Sequence, residues 1–137
     1  MSSFKIFDIA GSGMAAQSVR LNTVASNLAN ADSVSGSPET AYRARHPVFE
    51  AVREGVRGTD QAAAVRVRGI VEDGRAPEMR YEPGNPLANE QGYVYAPNVN
   101  VVEEMVNMIS AARAYQNNVE VMNTSKELLL ATLRLGQ

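Results

Sequence analysis

A chain of 137 residues with 45% hydrophobic and 20% charged residues has the length and composition of one ordinary globular domain. Its net charge of -2 gives no reason to bind nucleic acid, and the absence of cysteine excludes disulfides, thiol catalysis and cysteine-ligated metal. The sole histidine, His46, cannot build a histidine-rich metal site, and no stretch approaches the roughly 20 apolar residues that cross a bilayer.

The start of the chain does not have the pattern of a secretory signal peptide. Lys5, Asp8, Ser12 and Gln17 interrupt its apolar residues, so no continuous hydrophobic segment forms. By this rule alone the protein is expected in the cytosol. The rule tests only export with a cleaved signal.

A long helix is predicted over roughly residues 4–30. Large apolar residues recur every seven positions, at Phe7, Met14, Leu21 and Leu28, which is the spacing of a coiled-coil seam. At 1.5 Å per residue this helix is about 40 Å long. Charged residues are scarce along it, which leaves two interpretations open: a two-helix hairpin with a polar outer face, or a helix that other subunits cover on several sides.

The helix is expected to end near Asn30, because asparagine tolerates the left-handed conformation that closes many helices. The stretch ADSVSGSPET follows, and its Asp, Ser, Gly and Pro residues are turn formers. We therefore expect a loop between this helix and the middle of the chain.

The middle of the chain, residues 41–95, is predicted to form short strands. Val65 and Val67 alternate with arginines, and Gly69 is the expected position of a bulge. The stretches EMRYEPGNP and QGYVYAP predict two further strands, the first followed by a Pro-Gly turn. Arginines and acidic residues are equally numerous between residues 39 and 82, which indicates a mixed-charge surface and argues against nucleic-acid binding.

The strongest helix signal in the chain covers residues 98–135. Asn98 or Asn100 can cap its start, and Glu103 and Glu104 lie in the first turn, near the positive end of the helix dipole. The helix is longer than about 50 Å, which is too long for a compact core of this size.

Heptad positions continue along this second helix from Val101 to Leu133, and all of them except Lys126 are apolar. Val102, Val106 and Ile109 widen the apolar stripe in its first half. We therefore expect more than one partner helix at that end.

Together these elements predict an α+β fold in which long N- and C-terminal helices pair as a coiled-coil-like hairpin around a small β-rich insert. The predicted divisions are an N-terminal helical part (residues 1–33), a loop and β-rich part (34–97) and a C-terminal helical part (98–137).

No constellation of residues predicts catalysis or cofactor binding. The GSG at Gly11–Gly13 follows no strand and lacks the third glycine of a dinucleotide fingerprint. Glu103 and Glu104 are adjacent on a helix and point about 100° apart, which suits a helix start better than an acid/base pair. We therefore expect a protein without an active site, metal or cofactor.

Several stretches resemble the rod and hook axial proteins of the bacterial flagellum, and in particular those of the proximal rod. They are FDIAGSGMAAQSVRLNTVASNLANADS with Tyr42-Arg43-Ala44 after it, and YEPGNPLA, PNVNVVEEMVNM and NVEVMNTSKELLL in the second half. The resemblance extends over essentially the whole chain.

This resemblance implies a structural protein that is not an enzyme. Such proteins are exported unfolded through the flagellar type III apparatus, without cleavage, and assemble helically into the rod, the drive shaft that crosses the periplasm. Their terminal helices form the inner tube, and the β-rich insert lies outside it. The implied partners are further copies, rod proteins of the FlgB, FlgF and FlgG types, a FliE-type adaptor and the export apparatus, with no nucleic acid and no membrane insertion. This location replaces the cytosolic expectation.

Two sets of residues carry the functional predictions. The expected subunit-interface residues lie mostly on the two helical seams: Phe7, Met14, Leu21, Val24, Leu28, Asn30, Val101, Met105, Met108, Ile109, Ala112, Tyr115, Val119, Met122, Leu129 and Leu133. The candidate export signal is Phe4, Ile6, Phe7 and Ile9, for which the alternative is simply the first turns of a packed helix. A cytosolic coiled-coil adaptor is the competing class of protein, but it gives no reason for helices at both ends of a β insert.

Overall fold

The computed structural model describes residues 3–53 and 63–136. The chain forms two long helices, one at each end, and two small antiparallel sheets between them in the sequence. This confirms the α+β class predicted from the sequence. In chain order the elements are α1 (Ser3–Ala29), β1 (Arg45–Arg53), β2 (Ala63–Glu72), β3 (Glu78–Tyr81), β4 (Tyr93–Ala96) and α2 (Val101–Leu135). Strand β1 pairs with β2, and β3 pairs with β4.

Helix α1 ends at Ala29, and the asparagine that follows hydrogen-bonds back to the last turn. The Nδ2 of Asn30 donates to the carbonyl oxygen of Ser26 over 2.8 Å, and its backbone N–H donates to the same oxygen over 3.2 Å. In the described part of the chain no residue other than glycine has a positive φ. The expected left-handed Asn30 is therefore wrong: the backbone N–H of Ala31 donates to the carbonyl oxygen of Leu28 over 3.2 Å, so a tighter turn without a positive φ ends the helix.

The loop after α1 is attached to strand β4. Ser35 and Tyr95 exchange two backbone hydrogen bonds of 2.9 and 2.8 Å. A Cβ added to Gly36 would lie 2.9 Å from the carbonyl oxygen of Leu87, so glycine permits this close approach of two backbones. The loop thereby brings the end of α1 next to the β3–β4 sheet.

The β1–β2 pair contains the bulge that the sequence predicts. Val48 is opposite Gly69 and Phe49 is opposite Val67, so Arg68 has no residue opposite it. An extra residue of this kind bends a strand and increases its twist. Strands β1 and β2 both contact α1, and the backbone N–H of Val65 donates to Oγ of Ser12 over 3.1 Å.

The β3–β4 pair closes around a glycine with a positive φ. Gly92 has φ of 83°, and a Cβ there would lie 2.9 Å from Cε2 of Tyr81 and 3.2 Å from Cβ of Pro83. The rings of Tyr81 and Tyr93 meet edge to face with centroids 5.2 Å apart. Glycine is therefore required here for both its conformation and its size.

Replacing this glycine is expected to destabilise the subunit. Gly92→Ala should lower the free energy of unfolding by about 1–3 kcal/mol, because alanine is strained at this φ and its Cβ overlaps Tyr81. Urea unfolding followed by circular dichroism measures the loss. Gly84→Ala is the matched control, since a Cβ at Gly84 meets nothing within 4 Å. Equal stability of the two variants would contradict the assignment.

Helix α2 begins at a capped position and packs against α1 in the opposite direction. Oδ1 of Asn100 accepts the backbone N–H groups of Val102 and Glu103, which satisfies two donors that helix starts leave free. With 35 residues, α2 is about 52 Å long.

The contacts between the two helices show their relative direction, because residues later in α1 meet residues earlier in α2. A Cβ on Gly13 would meet Asn118 at 2.8 Å, Arg20 donates to Asn107 over 3.1 Å, and Asn27 donates to Glu104 over 2.9 Å. The pair is therefore antiparallel. No helix in the described residues is long and apolar enough to cross a membrane.

Candidate subunit interface

The described residues offer no constellation for acid/base or metal chemistry. They contain no group of three or more His, Cys, Asp or Glu side chains that could hold a metal ion. Nε2 of His46 lies 3.8 Å from Oδ2 of Asp73, but Asp73 is already engaged by Arg75. The side-chain hydrogen bond from Arg75 lowers the pKa of Asp73 from 3.8 to about 2. That carboxylate therefore stays charged at neutral pH and is not poised to exchange protons.

The face of α2 that meets α1 carries small and polar residues among its large ones. Ala111 and Glu104 are buried, and Asn118 fits the space that Gly13 leaves open. Gly13 thus lets the two backbones approach closely. Several of the most apolar residues of α2 therefore lie outside its contact with α1 and remain exposed.

Those apolar residues form an exposed stripe on the first half of α2. We call Val102, Met105, Val106 and Ile109 the outer stripe, and their residues are 71%, 53%, 61% and 54% exposed. A shallow groove of about 400 Å³ runs beside it, lined by Val106, Ile109, Ser110, Arg113, Ala114 and Asn117. A contiguous apolar face of this kind on a helix marks a site of interaction with another protein.

The end of α2 is also apolar and exposed. Leu128, Leu130, Leu133 and Leu135 project in several directions around the helix and are exposed. Ile6 of α1 lines a small cleft with Ser125, Leu128, Leu129 and Thr132. One neighbouring helix therefore covers only part of the apolar surface of this end.

A buried junction fixes the opposite end of the helix pair. Asn27 is 0% exposed and uses its whole hydrogen-bonding capacity. Its Nδ2 donates to the carbonyl oxygen of Arg45 over 2.8 Å and to Oε2 of Glu104 over 2.9 Å. Its Oδ1 accepts the hydroxyl of Tyr42 and the backbone N–H of Arg45, each over 2.9 Å. One side chain thus joins α1, the segment after the loop, β1 and α2.

Glu104 has a larger role at this junction than a helix start requires. Its residue is only 3% exposed, and burying a carboxylate is costly unless it is hydrogen-bonded. Asn27 supplies that bond, and Nδ2 of Asn107 lies 3.5 Å from the other carboxylate oxygen. Glu104 therefore fixes where α2 meets the end of α1.

Asn98 connects the β-rich part to the start of α2. Its Oδ1 accepts the backbone N–H of Ala44 over 2.8 Å, and its Nδ2 donates to the carbonyl oxygen of Arg75 over 2.9 Å. Of the two candidate caps, Asn100 caps the helix and Asn98 bridges the strands. Asn98 thereby holds the strands beside the start of α2, while β2 also lies along α1 as far as Ser12.

Comparison with known proteins identifies the family. Two family models match the chain: "Flagella basal body rod protein" over residues 7–36 and "Flagellar basal body rod FlgEFG protein C-terminal" over residues 90–135. The flagellar basal-body rod protein FlgC of Yersinia enterocolitica is 53% identical over 137 residues, with 100% of each chain covered. The FlgC proteins of Salmonella typhimurium (53% over 137 residues, 100% of each chain) and Aquifex aeolicus (44% over 134 residues, 96% of each chain) are also similar.

The chain belongs to the FlgC family of flagellar basal-body rod proteins. As a member of this family it is a structural protein of the rod and not an enzyme. The Asn27–Glu104 hydrogen bond joins the two segments that the family models match, one in α1 and the other in α2.

Within this FlgC-type subunit, the predicted interface residues differ in exposure. Val24 is buried inside the subunit, whereas Val101, Met105, Ile109 and Leu133 are exposed. The others are partly buried: Phe7, Met14, Leu21, Leu28, Asn30, Met108, Ala112, Tyr115, Val119, Met122 and Leu129. Their part in contacts between subunits stays a prediction. Ile6, Phe7 and Ile9 of the candidate export signal are partly buried on α1, and the side chain of Phe4 lies outside the described part.

Two groups of residues were missing from the predicted site. Val102 and Val106 widen the predicted stripe, but the heptad positions did not include them. Asn27 and Glu104 belong to the motifs SNLAN and VVEEM, yet nothing in the local sequence shows that they meet across 77 residues of chain.

Proposed function

We propose that the chain is a subunit of the proximal rod, the drive shaft of the flagellar basal body, and that it assembles helically through its terminal helices to transmit torque. The outer stripe of α2 is the observation that carries this proposal. Four large apolar residues, each more than half exposed, are unfavourable in water and become favourable when neighbours cover them.

The subunit is proposed to consist of an inner helical part and an outer β-rich part. Residues 1–33 and 98–137 form an inner-tube part, in which α1 and α2 pair as a coiled coil with each other and with the helices of neighbours. Residues 34–97 form an outer β-rich part. The junction at Asn27 supports this division, since it anchors the start of β1 to both helices.

The shape of the subunit suits the transmission of torque. Helices of 27 and 35 residues are stiff elements, and packing against several neighbours distributes load over many contacts. Asn27, Asn98 and the Ser35–Tyr95 pair would keep the outer strands from turning independently of the helices.

The proposed route and partners extend the family resemblance. The subunit is made in the cytoplasm and passes unfolded and uncleaved through the flagellar type III apparatus, with Phe4, Ile6, Phe7 and Ile9 as part of the signal. It then joins the rod within the periplasm. Its neighbours are further copies, proteins of the FlgB, FlgF and FlgG types and a FliE-type adaptor.

Fractionation tests the proposed function directly. A strain that lacks the gene should be non-motile, and an epitope-tagged copy should restore motility and be found in isolated basal bodies. A tagged copy that restores motility yet remains in the cytosol would contradict the proposal and favour the coiled-coil adaptor.

Hydrogen exchange should report the effect of assembly on α2. In the free subunit most of the residues after Glu120 are exposed, so the distal half of α2 is held by few buried contacts and should open readily. In assembled rods its amides should exchange at least about tenfold more slowly, since neighbours cover them. Amides around Ala111, which is buried in the free subunit, are the internal control. Equal exchange of the distal half in both states would contradict the proposal.

A further inference from the structure

We infer that the outer stripe of α2 packs antiparallel against the exposed face of α1 of a second copy, in a defined register. In that register Val106 faces Ala15, Val102 faces Ser18, Ile109 faces Gly11, and Arg113 pairs with Asp8. The inference rests on the proposed function and specifies which surfaces meet.

The exposed face of α1 has the shape that the outer stripe requires. Its residues lie at alternating spacings of three and four, and all but the half-buried Gly11 are exposed. All after the first are small or are asparagine: Asp8, Gly11, Ala15, Ser18, Asn22, Ala25 and Ala29. A Cβ at Gly11 would meet nothing within 4 Å. A helix face of small residues can receive the larger side chains of a facing helix as knobs in holes.

Charge selects the direction and the register. Asp8 is the sole acidic residue of α1, and Arg113 is the first basic residue of α2. Within the described part of the chain neither forms an ion pair. Residues 102, 106, 109 and 113 are four, three and four apart, and residues 18, 15, 11 and 8 are three, four and three apart, so the paired positions stay within one residue of a common antiparallel register. An antiparallel alignment therefore brings Arg113 to Asp8 while Ile109, Val106 and Val102 meet small residues.

A parallel alignment of the two helices does not bring Arg113 to an acidic residue. When the outer stripe is placed on the small residues in that direction, Arg113 falls beside Asn22, Ser26 or Ala29, and none of these is acidic.

Symmetry supports a second copy as the occupant. Within one subunit α1 and α2 are already antiparallel. Copies that all point the same way therefore make antiparallel contacts between α2 of one and α1 of the next. The two surfaces are different parts of the chain, so the contact is heterologous, and repeated heterologous contacts build open helical assemblies.

The contact cannot form within one chain. Inside the subunit, Gly13 meets Asn118 and Arg20 meets Asn107, so Ala15 is level with residues near 115. Val106 is about nine residues away, or about 13 Å along the axis. A disulfide needs Cα atoms within about 7 Å.

Disulfide cross-linking tests this register, since the chain contains no cysteine of its own. Chains carrying Ala15→Cys and differently tagged chains carrying Val106→Cys are expressed together, and isolated basal bodies are mildly oxidised. We expect a linked species that contains both tags. Ser18→Cys with Val102→Cys is a second in-register pair and should link as well. Ala29→Cys with Val106→Cys is the matched control, about 21 Å out of register.

The outcomes separate this inference from the proposed function. If the variants are present in basal bodies but neither in-register pair links, or the control pair links instead, the register is wrong while the rod assignment stands. Absence of the unmodified chain from basal bodies would overturn the proposed function itself. Linkage to a different rod protein in place of a second copy would overturn the choice of occupant.

Discussion

Asn27→Ala should lower the free energy of unfolding of the free subunit by about 3–5 kcal/mol, because it removes all four hydrogen bonds of a fully buried side chain at once. The carboxylate of Glu104 would lose its short hydrogen bond inside the protein, and an uncompensated buried charge is among the costliest defects a mutation leaves. Urea unfolding followed by circular dichroism measures the loss.

Asn30→Ala is the matched control for this experiment. Its side chain makes one bond, to the carbonyl oxygen of Ser26 within the same helix, so its loss should cost about 1 kcal/mol or less. Comparable losses in the two variants would show that Asn27 acts only as a local helix residue and does not join α1 to α2.

Ile109→Asp should abolish incorporation of the subunit into the rod while leaving the free subunit nearly as stable as before. Ile109 is 54% exposed in the free subunit, and substitutions at exposed positions usually change stability by about 0.5 kcal/mol or less. In the assembled rod the same carboxylate would be buried without a partner, at a cost of several kcal/mol. Motility and the amount of subunit in isolated basal bodies are the measurements.

Two further variants show whether the effect comes from the outer stripe. Ile109→Val keeps an apolar side chain and should still be incorporated. Met108→Asp changes the adjacent residue, which is partly buried, so it should destabilise the free subunit as well as block assembly. If Ile109→Asp is incorporated normally, the outer stripe is not a contact surface in the rod.

Much of the fold follows from local sequence patterns. The heptad spacing of Phe7, Met14, Leu21 and Leu28 predicts α1, and turn residues mark the ends of the short strands. The bulge at Arg68–Gly69 could be predicted because glycine weakens a regular strand. These features depend on residues close together in the chain.

The contacts between the helices could not be predicted in the same way. Heptad rules place apolar residues on the inner face of a hairpin, yet Glu104 and Asn118 lie where α1 and α2 meet. This is possible because Gly13 lets the helices approach closely and Asn27 satisfies the carboxylate. The apolar side chains of the outer stripe are left for other partners, and a single sequence does not show which face they serve.

Thiol labelling of Ile109→Cys shows whether the outer stripe becomes buried when the subunit assembles. The variant provides the sole cysteine of the chain. A maleimide reagent should label it readily in the free subunit and much more slowly in isolated basal bodies, with labelling after denaturation giving the total. Equally fast labelling in both states would show that the stripe faces solvent in the rod and is not an interface between subunits.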